Sequence, residues 1–120
     1  MNELSDQQAL MSAPTRGCGI ERALEVLDGK WTTLVLRELL QGPKRFGELR
    51  AALATVSPKT LTDRLRLLER EGVLTRTVHA EVPPRVVYAL TPRGQSLESV
   101  LSAMLEWGNL DAAAGRPPSH

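Results

Sequence analysis

A chain of 120 residues with 42% hydrophobic and 24% charged side chains is sized and balanced for one folded domain, which excludes a fibrous or disordered chain, and no second domain is expected. No run nears the roughly 18 apolar residues of a membrane span, and the polar, acidic N-terminus lacks the basic start and apolar run of a secretion signal, so a cytoplasmic protein is expected. The net charge of +1 hides a division: residues 30–93 carry twelve basic against six acidic groups, a net of +6, and the remainder three against eight, a net of −5. A basic middle with acidic flanks fits a surface for a polyanion.

Residues 1–17 have no periodicity and read as a flexible tail. Ile20, Ala23, Leu24 and Leu27 then recur at helical spacing, Asp28-Gly29 interrupts, and Trp31, Leu34, Val35 and Leu39 resume, which predicts helices over about 19–28 and 31–41. Gly42-Pro43 stops the second of them. A short helix follows over 46–53, with Phe46, Leu49, Ala52 and Leu53 as its apolar face.

Ser57 as N-cap and Pro58 at the first helical position start a helix that Gly72 ends. Leu61, Leu65 and Leu68 fall on one side of it; Lys59, Asp63, Arg66 and Arg70 lie near the other, flanked by Thr60 and Thr62. Two β-branched, alternating runs, 73–80 and 85–91, predict a hairpin whose tip, Glu81-Val82-Pro83-Pro84-Arg85, is stiffened by two prolines. Thr91-Pro92 caps a last helix whose Leu97, Val100, Leu101, Met104, Leu105 and Trp107 make a stripe wider than one small domain needs. Residues 109–120 read as a second tail. Aromatics are only 3%, so Trp31, Phe46, Tyr88 and Trp107 are the few large fillers expected in a leucine-dominated core.

The predicted fold class is mainly α with a small β-hairpin (α+β), in the element order of a winged helix-turn-helix. In such a domain one helix enters the major groove of double-stranded DNA, a neighbour braces it, and the hairpin reaches flanking phosphates or the minor groove. Residues 46–53 are the expected brace, 57–71 the recognition helix and 73–91 the wing. The expected DNA-binding residues are Ser57, Pro58, Lys59, Thr60, Thr62, Asp63 and Arg66 on the helix, Arg85 on the wing, and Lys44 and Arg45 ahead of the brace. Arg70, at the far end, is expected to face solvent or pair with Glu71.

The sequence also resembles the HxlR-type winged-helix regulators of bacteria. The resemblance rests on Gly29-Lys30-Trp31, Leu36-Arg37-Glu38-Leu39, Gly42-Pro43-Lys44-Arg45-Phe46, Val82-Pro83-Pro84-Arg85-Val86, Tyr88, Leu90-Thr91 and Trp107-Gly108, in that order, and covers about residues 18–108. It implies transcriptional regulators that dimerise through N- and C-terminal helices and often answer to reactive small molecules. A homodimer on an inverted-repeat operator is therefore expected, with Ile20, Leu24, Leu27, Leu97, Leu101, Met104, Leu105 and Trp107 at the interface. Cys18, the one cysteine, is a candidate redox sensor for an electrophile or other small-molecule effector. A cysteine near this position is common in the resembled family; here Gly19 replaces the usual following proline.

His79 and His120 form no metal set or catalytic dyad, and no nucleophile elbow, P-loop or dinucleotide fingerprint occurs, so no enzyme, cofactor or metal is expected. The alternative reading is a winged-helix module that binds acidic protein partners without specific DNA binding.

Overall fold

The computed structural model describes residues 18–116. Its elements in chain order are α1 (Gly19–Val26), α2 (Lys30–Leu40), β1 (Lys44–Arg45), α3 (Phe46–Ala52), α4 (Pro58–Arg70), β2 (Leu74–His79), β3 (Arg85–Leu90), α5 (Pro92–Gln95) and α6 (Glu98–Ala113). The mainly α winged-helix arrangement is as expected, with a small antiparallel sheet of order β1-β3-β2.

Local chemistry sets the ends of α4. Ser57 Oγ accepts a hydrogen bond from the Thr60 N–H at 3.1 Å, and Pro58 occupies the first turn, where its missing N–H costs nothing. At the other end Gly72 takes φ 73°, and the N–H groups of Gly72 and Val73 return to the carbonyls of Glu69 and Leu68. This left-handed exit turns the chain directly into β2.

A second tie closes the wing onto the recognition helix. Thr91 caps α5 by accepting from the Gly94 N–H at 3.1 Å, and its hydroxyl donates to the Gly72 carbonyl at 2.6 Å. One residue thus joins the end of β3, the start of α5 and the exit from α4.

Leu36 and Leu39 of α2, Leu49 of α3, Leu61, Leu65 and Leu68 of α4, and Leu74 of β2 are buried in one core. Trp31 and Phe46 pack half-buried against it, and Tyr88 is buried within it. Trp107 is not a core filler, because it is 70% exposed on α6. Among the described residues nothing packs over that part of the helix.

Three further features depart from the sequence reading. Lys44 and Arg45 form a strand pairing with Tyr88 and Val87, a two-residue element too short to show alternation. The last helix is two helices, because Thr91-Pro92 caps only the single turn of α5 and α6 begins at Glu98. Finally, α6 continues through 109–113, where a tail was expected; the alanines there are strong helix formers that add no apolar stripe. The tail expected at 1–17 and the terminal residues 117–120 lie outside the described residues.

Candidate nucleic-acid interface

The outward side of α4 is open along the expected positions. Ser57, Pro58, Lys59, Asp63 and Arg66 are exposed, while Thr60 and Thr62 are half-buried against the flanks of the helix. Lys59 Nζ donates to Asp63 Oδ2 at 3.1 Å, one turn on, so the two charges partly neutralise each other in the unbound protein. Arg66, which makes no ion pair among the described residues, leaves its charge available.

The wing brings a second cation to the same domain. Arg85 lies at the start of β3, opposite His79, and its guanidinium grips Glu81 through Nε to Oε2 at 3.2 Å and Nη2 to Oε1 at 3.1 Å. That pairing was not read from the sequence, although the four-residue spacing across the tip is a usable signal. The hydrogen bond from Arg85 holds the Glu81 carboxyl below the ordinary carboxylate range, and the positive charges of Arg85 and Arg45 act in the same direction.

Pairing of β1 with β3 fixes Lys44 and Arg45 beside the wing rather than on a free loop, with Arg45 exposed and Lys44 half-buried. The Arg45 N–H donates to Glu48 Oε1 at 2.8 Å, which anchors the start of α3. Arg45, Arg85 and the tip residues Val82 to Pro84 line one shallow depression. Arg70 does not pair with Glu71: that carboxylate lies 4.0 Å from Arg22 of α1 and 3.8 Å from Arg93 of α5.

Position within the core decides the expected interface residues. Leu27 and Leu101 are each 8% exposed and Leu97 is half-buried, so these three serve the chain's own core. Ile20 and Leu24 on α1, each 60% exposed, and Met104, Leu105 and Trp107 on α6 remain uncovered, together with Leu110, which was not anticipated. Cys18 is half-buried at the N-cap of α1 and is a free thiol; its carbonyl accepts from the Arg22 N–H at 3.0 Å. Among the described residues no cluster of His, Cys, Asp or Glu is placed to hold a metal, and no helix is long and apolar enough to cross a membrane.

Residues 26–114 match the model of the HxlR-like helix-turn-helix family. The chain belongs to that family. The HTH-type transcriptional regulator sll1512 of Synechocystis sp. is 50% identical over 92 residues, which cover 77% of this chain and 68% of that protein. The regulator YodB of Bacillus subtilis is 36% identical over 90 residues, covering 75% and 80%. Among solved structures, the reduced form of the redox regulator HypR superposes with TM-score 0.75 at 38% identity, covering 78% of this chain and 92% of that one. Quinone-bound YodB superposes with TM-score 0.66 at 33% identity, covering 76% and 96%. This HxlR-like chain is a helix-turn-helix regulator of transcription, and the family is one of regulators rather than enzymes.

Proposed function

We propose that this HxlR-like chain works in the cytoplasm as a homodimer that reads an inverted-repeat operator in double-stranded DNA. In each copy α4 enters the major groove with its N-terminal turn, Ser57 to Asp63, toward base edges, and Arg66 lies farther along. The wing places Arg85 on a phosphate or in the narrow minor groove, and Lys44 and Arg45 lie along the backbone path. No catalytic step is proposed.

The observation that carries the reading is the combination of a capped, basic, open recognition helix with an arginine-bearing wing tied to its far end through Thr91. The dimer is supported by the apolar side chains left open on α1 and α6, which a two-fold partner would cover. Such a pair sets two recognition helices about one DNA turn apart, roughly 34 Å. Selection of bound fragments from genomic DNA, followed by gel-shift titration, tests it. Recovery of palindromic sites supports the reading; no duplex binding tighter than micromolar at low salt would favour the protein-binding alternative.

A redox or quinone input through Cys18 is the second part of the proposal. It is favoured by the likeness to HypR, described as a redox regulator, and to YodB in its quinone-bound form. Cys18 begins α1, whose open face carries Ile20 and Leu24, so modification there would re-aim a helix of the proposed interface.

A further inference from the structure

A half-open cavity of about 540 Å³ lies between α4 and the sheet, within the size range of small-molecule sites. Phe46, Leu65 and Tyr88 give it apolar and aromatic walls, and Arg66, Glu69 and Arg76 supply its charges. Neither arginine is ion-paired among the described residues, which leaves two guanidinium groups beside an aromatic wall. Tyr88 is only 7% exposed, and its hydroxyl has no hydrogen-bond partner among the described residues. Although the residue is nearly buried, the hydroxyl itself reaches solvent, so it can donate to a ligand there.

We propose that this cavity is a reversible binding site for small aromatic monocarboxylic acids. The ring packs against Phe46 and Tyr88, and the carboxylate accepts hydrogen bonds from Arg76 and Arg66 in the forked geometry that guanidinium groups favour. The Tyr88 hydroxyl is the neutral donor of the set. Glu69 sets the charge limit: with two cations and one anion in the lining, one negative charge is welcomed and a second is opposed. Cys18 is not among the lining residues, so occupancy needs no thiol chemistry.

The regulatory consequence rests on the proposed DNA face. Arg66 and Thr62 belong both to that face and to the cavity wall, so a bound acid neutralises one of the helix's cations and competes with DNA. Binding itself rests on the cavity alone.

The test uses the full chain and sodium 2-naphthoate as probe, with 2-naphthamide as the neutral control, followed by ligand-observed NMR and calorimetry without DNA. One naphthoate per chain is expected, with Arg76→Gln weakening it by about tenfold or more, the loss of a charge-assisted hydrogen bond. Tyr88→Phe, which keeps the ring, should weaken it less but measurably. No binding at millimolar naphthoate, equal binding of the amide, or variants that bind like wild type would each overturn the site. Gel shifts on a selected operator separate the two proposals: naphthoate should release DNA from the wild type, and binding without release overturns the competition. A protein that binds naphthoate but no DNA leaves the site standing and removes the operator reading.

Discussion

Arg85 and Glu81 face each other across the base of the wing tip, joined by two hydrogen bonds of 3.2 and 3.1 Å. The cation proposed to meet DNA is therefore held by an internal anion in the unbound protein, and phosphate must displace a carboxylate to reach it. Because the Glu81 carboxyl is depressed by Arg85, the stabilising pairing is present above the ordinary carboxylate value and is lost as pH falls through the lowered folded value. NMR titration should find Glu81 protonating below an ordinary glutamate, and Arg85→Ala should return it to the usual range. Glu81→Gln should strengthen binding to any duplex, since it frees Arg85 and removes a charge that repels phosphate.

Arg85→Ala itself should weaken binding to all sequences alike and lower the slope of log affinity against log salt by about 0.9, the release of one counterion. Titrations of one operator and one unrelated duplex across a salt series measure this. An unchanged slope would remove the wing from the interface.

Asp63 is expected to act on specificity. Its pair with Lys59 is exposed, and such i,i+4 pairs contribute only about 0.3–0.5 kcal/mol, so Asp63→Asn should leave the melting temperature almost unmoved. Selection from a randomised operator library should nevertheless return a different preferred base for Asp63→Asn or Thr60→Ala. If both variants select the wild-type site, α4 does not read bases with its first turns.

Gly94 offers a stability test independent of DNA. A Cβ there would collide with the Val73 carbonyl oxygen and press on Leu90, so the wing and α5 would have to separate. Gly94→Ala should cost about 1–3 kcal/mol in urea unfolding, the usual cost of overpacking a closed site. Gly29→Ala should also destabilise, because Gly29 sits at φ 90° and its added carbon would meet the Arg64 guanidinium at 2.9 Å.

The apolar faces of α1 and α6 yield a paired prediction. Trp107→Asp alters a residue that is 70% exposed, so it should convert dimers to monomers in sedimentation while the helical content stays. Leu101→Ala, at a site only 8% exposed, should instead destabilise the fold by about 2–5 kcal/mol. For the thiol reading, operator affinity of wild type and Cys18→Ser should diverge after diamide; equal responses would leave Cys18 without a sensing role.

Adjacent residues were enough to determine the framework. Ser57-Pro58 and Gly72 bound the recognition helix, Thr91-Pro92 starts the helix after the wing, and the leucine spacing picks the buried side of α4, because caps and periodicity act within a turn or two of the chain. Tertiary structure alone decided how each apolar stripe is divided. Leu27 and Leu101 carry the same signal as Leu24 and Leu105, yet the first pair is buried in the chain's own core and the second is open, since burial depends on which distant element packs there. Likewise, β1 exists only because β3 offers it hydrogen bonds, and Glu81 claims Arg85 only because the wing's turn brings them together. The cavity beneath α4 is of the same kind: its walls come from α3, α4, β2 and β3, and no stretch of sequence contains it.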